Sequence, residues 1–188
     1  MTVHRRYTSA DLDALPDIPG VRYEIIDGEL FVAKMPTWDH DYAVHGVHDA
    51  LHIWSRANGA GYARMTPGLV FAEDDDVVPD VVWISRERMV GALDRSRHLS
   101  VAPELVVEVL SPGVANQRRD REIKLDLYSR RGVQEYWIVD WQQRSVDAYR
   151  RTGQELRLSA TLTGDDVLTS PLLPGFSCPL AALWWTDL

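Results

Sequence analysis

The sequence predicts an α/β domain with a mixed sheet, and three observations carry that prediction. An aliphatic run at 105–110 is followed by a helical stretch at about 120–131 and then by a second strand-like run, "VQEYWIVD". Strand, helix and strand in that order imply a crossover to a parallel neighbour. Within residues 39–58, Val44, Val47, Leu51 and Trp54 recur at helical spacing. In "YEIIDGELFVAK", Asp27-Gly28 separates two apolar runs, a strong short-range signal for an N-terminal β-hairpin.

From the amino end, Thr8 or Ser9 caps a short helix through Leu15, and Pro16 ends it. After the hairpin comes the helix of residues 39–58, with Gly59 as its stop. "YARMTPGLVFA" and "VVPDVVWI" read as two strands joined by an acidic turn at 73–76, and residues 85–103 as a polar connection with a helical turn. The strand at 104–110 stops at Ser111-Pro112-Gly113, and Gly132 ends the helix that follows. "SVDAYR" and "ELRLSATL" add two strands, and a short helix after Pro179 closes the chain. No repeat or linker interrupts this order, so one domain is expected.

The chain is 45% hydrophobic and 26% charged, as folded globular proteins are. A single cysteine, Cys178, excludes an internal disulfide and fits a reducing compartment. No apolar run approaches the roughly 20 residues that span a bilayer. The opening "MTVHRRYTSADLDALPD" has no apolar stretch after its basic residues, so a cytoplasmic protein without membrane contact is expected. A net charge of −8 argues against a general nucleic-acid coat. Nucleic-acid contact would need a local basic patch, and "RSRHLS" around Arg95 and Arg97 and "QRRDREIK" at 117–124 are the candidates. Both read equally well as solvated faces.

Two strands carry an acid where periodicity predicts burial: Asp80 in "VVPDVVWI" and Glu108 in "LVVEVL". A carboxylate taken out of water costs several kcal/mol unless it is paired, hydrogen-bonded or bound to a metal. Two on neighbouring strands suggest a shared cation, and oxygen ligands suit magnesium or manganese. Lys124, in the helix after Glu108, shares a stripe with Arg121, Leu125 and Tyr128, while Ile123 and Leu127 help form the apolar side. That helix, packed on the sheet, would return the ammonium to the carboxylates; a surface lysine is the plainer alternative.

The blocks "YEIIDGEL", "VVPDVVWI", "PELVVEVLSP", "RRDREIKLDLYSRRGVQEYWIVD" and "LPGF" occur in an order that resembles the Uma-type family of PD-(D/E)XK restriction-endonuclease-like proteins. The resemblance covers residues 7–183 and implies one restriction-endonuclease-like domain, a mixed β-sheet flanked by helices. It also implies magnesium- or manganese-dependent cleavage of nucleic acid, DNA in the first instance, by a homodimer able to cut both strands. Asp80 matches the aspartate of the PD element and Glu108 the acid of the (D/E)XK element. The backbone carbonyl of Val109 matches a further metal ligand. Leu110 stands where the wider superfamily has its lysine, and Lys124 matches the lysine moved into the next helix. Glu24 matches an additional family acid at the same site, in the metal's outer shell or on a second ion; a solvent-facing hairpin residue is the other reading. For dimerisation "WIVDW" and Trp184-Trp185 offer apolar surface, although tryptophans more often fill cores.

Two other functions compete. His45, His48 and His52 have helical spacing fit for a metal but no HExxH element, and read better as a polar flank. A catalytically silent nuclease-like module that binds nucleic acid or protein is the second. Retention of Asp80, Glu108 and Lys124 together argues against it.

Overall fold

Residues 5–186 are described by a computed structural model. The chain opens with α1 (Ser9–Leu12), a single turn closed by a reciprocal cap between Thr8 and Asp11, shorter than the expected helix to Leu15. Strands β1 (Val21–Ile26) and β2 (Glu29–Lys34) then form the anticipated hairpin. Its two-residue turn places Asp27 and Gly28 at φ 52° and 74°, the pair of left-handed residues that such a turn demands. Helix α2 (Trp38–Asn58) is capped by Thr37, whose hydroxyl accepts from the His40 amide, and it ends at left-handed Gly59. Its buried stripe is His40, Val44, Val47 and Leu51.

The run "YARMTPGLVFA", expected as one strand, is two. β3 (Gly61–Met65) and β4 (Leu69–Ala72) belong to different sheets, because Thr66, at φ 47°, Pro67 and Gly68 turn the chain between them. The acidic turn joins β4 to a short strand, β5 (Asp75–Val77), and Val78-Pro79 separates that from β6 (Val81–Ser85). Asp80 therefore stands just before a strand, not inside one.

After a single helical turn, α3 (Arg86–Met89), the wholly buried strand β7 (Leu105–Val109) runs parallel to β8 (Glu135–Asp140). Their crossover starts earlier than the expected Asp120. It is α4 (Val114–Arg118), a π turn at Arg119–Ile123, and α5 (Lys124–Arg131), ended by left-handed Gly132. Strands β9 (Ser145–Thr152) and β10 (Glu155–Thr163) follow, then the pair β11 (Val167–Leu168) and β12 (Cys178–Pro179). A 3-10 turn, Leu180–Leu183, supplies the short helix expected after Pro179.

The main sheet has the order β10-β9-β8-β7-β6-β3, and a smaller sheet the order β2-β1-β5-β4. Side-chain alternation along β7 divides the core. Leu105, Val107 and Val109 join the cluster packed on α2, while Val106 and Leu110 join the one packed on α5 and the smaller sheet. Trp137 and Trp184 lie in the first cluster, so neither is surface for a partner. No helix among the described residues is long and apolar enough to cross a membrane.

Candidate active site

Glu108 has the same alternation as Val106 and Leu110, so it is aimed at α5 and away from α2. There it is 3% exposed, and its Oε1 accepts from the Lys124 ammonium at 2.9 Å and the Tyr128 hydroxyl at 2.7 Å. Lys124 is buried too, and its Nζ also donates to Glu24 Oε1 at 2.9 Å. Glu24 Oε1 takes a second hydrogen bond, from the Val78 amide, also at 2.9 Å.

Asp80 reaches the same place from the start of β6. The β6–β7 register pairs Val81 with Val107, so Asp80 stands one step on, beside Glu108. Its Oδ2 accepts from the Val109 amide at 2.9 Å, and Arg22 lies 3.7 Å from Oδ1. These side chains line one cleft of about 70 Å³, enough for an ion with a water or two. All four sequence-predicted side chains, Glu24, Asp80, Glu108 and Lys124, are thus brought together, and Val109 lines the cleft with them.

The structure adds residues that sequence reading missed. His40 Nε2 lies 2.9 Å from the Val109 carbonyl and 3.5 Å from Asp80, and its buried Nδ1 has no hydrogen-bond partner. A signal was present: His40 is four residues before Val44 on the helix's apolar stripe. Arg119 and Asp120, both buried, enter from the π turn. Arg119 donates to Asp120 at 3.2 Å and lies 4.0 Å from Glu24. A π turn adds a residue to one helical turn and so points two successive side chains inward.

His45, His48 and His52 stay out of the site. His45 is exposed and bonded to the Asp41 carbonyl, and His48 stacks on His52. No three His, Cys, Asp or Glu side chains gather as a metal-ligand group among the described residues.

Electrostatically the cleft crowds carboxylates against one another. Four buried carboxylates, Glu24, Asp80, Glu108 and Asp120, share it with the buried Lys124, Arg119 and His40, and Arg22 and Lys34 also line it. Burial pushes the Glu108 carboxyl up to about 8; Lys124 opposes that, while Asp80, Asp120 and Glu24 add to it. Burial likewise raises Asp120 against the pull of Lys124 and Arg119. For Lys124 burial acts downward, but Glu108, Glu24 and Asp120 outweigh it, so the ammonium keeps its proton. Burial also acts downward on His40, and the hydrogen bond and charge of Asp80 reverse it. Asp80 is held low despite burial, by His40, the Val109 amide and Lys124.

A bound cation would offset the repulsion among these carboxylates, and the available donors are hard oxygens, the type magnesium takes while keeping several waters. Glu108 Oε2 has no protein partner among the described residues. Two carboxylates, Asp80 and Glu108, with the Val109 carbonyl and waters for the remaining positions, fit a hydrated divalent ion.

The family model described as "Putative restriction endonuclease", Uma2, matches residues 9–181. The chain belongs to the Uma2 family. A crystal structure from Anabaena variabilis, described as "a putative nuclease belonging to DUF820", shares its fold with a TM-score of 0.74 at 19% identity, over 94% of this chain and 96% of that one. The restriction-endonuclease-like architecture expected from the sequence is thus the one found. The type IIG restriction endonuclease BpuSI aligns at a TM-score of 0.40 and 13% identity, over 80% of this chain and 16% of that one, too distant to support an argument. No curated protein matches the chain.

Proposed function

We propose that this Uma2-family chain is a divalent-metal-dependent endonuclease that hydrolyses phosphodiester bonds of nucleic acid, DNA foremost. The observation that carries the reading is the convergence of Glu24, Asp80, Glu108 and Lys124 in one cleft. Asp80, Glu108 and the Val109 carbonyl would hold one or two ions of magnesium or manganese, which supply Lewis acidity toward the phosphate and toward water. Lys124 stays charged, so its role is a fixed positive donor beside the attacked phosphate, not a base. Glu24 holds the Lys124 ammonium in place, and the Tyr128 hydroxyl fixes the rotamer of Glu108. His40 and the Val109 amide orient Asp80.

The reading takes residues 7–183 as one domain working in the cytoplasm, and as a homodimer so that both strands of a duplex are cut. Trp38 and Tyr42, exposed at the start of α2 and edge-on to Trp185 at 5.6 and 5.4 Å, offer apolar surface for a second copy. The test is manganese- or magnesium-dependent cleavage of varied DNA and RNA. Glu108→Ala and Lys124→Ala should each lower the rate at least about a hundredfold. Cleavage that survives in both variants would sink the assignment, and binding without cleavage would favour the silent module.

A further inference from the structure

Most arginines of this acidic chain are spent on its own carboxylates. The basic run at 117–124 is an example: Arg118 pairs with Glu122, Arg119 with Asp120, and Arg121 with Asp140 and Asp147. Six exposed arginines differ: Arg56, Arg64, Arg86, Arg95, Arg97 and Arg144. None of the six meets a carboxylate within ion-pair distance among the described residues.

Three of them come together at β3, the last strand of the main sheet. Among the described residues β3 pairs only with β6, which leaves its other edge open. Gly61 lies opposite Ser85, and the Arg86 amide donates to the Ala60 carbonyl at 3.1 Å, which sets Arg86 beside the start of the strand. The Arg64 and Arg86 guanidiniums lie over the Tyr62 ring at 5.8 and 5.6 Å. Arg56, from the last turn of α2, completes the lining of a surface cavity of about 340 Å³ there. Arg64 and Tyr62 also line a neighbouring cavity of about 440 Å³, to which Arg97 adds a fourth guanidinium.

This edge leads to the carboxylate cleft. Tyr62 and Arg64 alternate onto one side of β3, and Thr66 follows directly at the turn that ends it. Thr66 lines the cleft, and its amide donates to the Asp80 carbonyl at 3.0 Å. At about 3.3 Å per residue, β3 spans roughly 17 Å, the length over which one strand of duplex DNA presents about five phosphates.

We propose that the open edge of β3 carries the phosphate backbone of nucleic acid to the cleft, with Arg56, Arg64 and Arg86 as its phosphate contacts and Arg97 at the flank. Guanidiniums suit phosphate oxygens through their forked donors. A charged residue on an open edge also discourages pairing with another strand, which argues against a peptide occupant. The contacts are to backbone alone, so they place the duplex without reading its sequence. The assignment rests on the nuclease reading for its substrate class.

The test is fluorescence anisotropy with a labelled DNA duplex of mixed sequence about two helical turns long, in EDTA, over a range of salt concentrations. The triple variant R56A/R64A/R86A should bind at least about tenfold more weakly at low salt, and its slope of log K against log salt should shrink by roughly 2 to 3. The control R6A/R118A/R157A removes three exposed arginines elsewhere and should bind as the wild type does; thermal melting checks that each variant is folded. Wild-type affinity and slope in the folded triple variant overturn the proposal. So does an equal loss in the control, or failure of the wild type to bind. Binding is read without metal, so a wild type that binds in this way yet never cleaves refutes the nuclease reading and not the path.

Discussion

Glu108 is where the chemistry is most exposed to test. Its carboxyl is pushed up to about 8, chiefly by burial, from an ordinary 4.5. An acid raised on folding is neutral in the native state while already ionised in the unfolded one, so stability falls as pH rises between those two values. Melting temperatures from pH 5 to 8 should show that loss in the wild type. The difference curve against Glu108→Gln, which cannot titrate there, isolates it from Asp120. Ion binding requires the ionised form, so manganese affinity should rise toward pH 8 and calorimetry should register proton release on binding at pH 7. Manganese added at pH 8 should restore the lost stability of the wild type and leave Glu108→Gln unmoved. The sequence made Asp80, Glu108 and Lys124 legible because each violates the expected distribution of charge or completes a known order of blocks. His40 was legible from its place on the apolar stripe, although His45, His48 and His52 offer a competing metal-like spacing on the same helix. Arg119 and Asp120 were not, because helical counting assumes 3.6 residues per turn and the π turn breaks that count.

At the scale of elements, close approach of backbones decides which strands meet. Gly61 begins β3 where a Cβ would come within 2.4 Å of the Ile84 carbonyl and 2.8 Å of the Trp83 ring. A carbonyl inside a ladder cannot swing aside as a side chain would. Gly61→Ala should therefore destabilise by about 1–3 kcal/mol, read as a lower urea midpoint with an unchanged m-value. Wild-type stability in that variant would mean that the start of β3 is not clamped on β6. The elements themselves were largely readable: the hairpin from Asp27-Gly28, α2 from its spacing, and the parallel pair β7–β8 from its unbroken apolar runs. The split of β3 from β4 was not, since apolar residues flank Thr66-Pro67-Gly68 on both sides and only the tertiary fold assigns the halves to different sheets.

The whole molecule poses a problem of docking, because the cleft has walls from both sheets. Glu24 and Arg22 come from the small sheet, Asp80 and Glu108 from the main one, and Lys124 from the helix between them. Apolar packing of Ile26, Leu69 and Val77 against Leu127 and Tyr128 supplies area but little orientation. Orientation comes from Asp75, 1% exposed in β5, which accepts from Arg130 at 2.9 and 3.3 Å, from Arg131 at 3.1 Å, and from the Asp27 amide at 2.8 Å. One carboxylate thereby ties the end of α5 to both the hairpin turn and β5, and two guanidiniums at a helix C-terminus also suit its dipole. Removing it takes the shared acceptor from the Asp27 amide and from two partly exposed guanidiniums, so Asp75→Ala should cost about 1–3 kcal/mol at pH 7 by urea unfolding. The pH dependence runs opposite to that of Glu108. Burial alone would raise Asp75, but Arg130, the Asp27 amide and Arg131 hold it below its ordinary 3.8. Its contribution is present above that value and fades as pH falls below it. The gap between wild type and Asp75→Ala should therefore be full at pH 7 and narrower near pH 3. A gap of constant size would mean that Asp75 acts by filling space and not as a charge. Because Glu24 rides on the same small sheet, the variant should also bind manganese more weakly at pH 7, although Asp75 lines no part of the cleft.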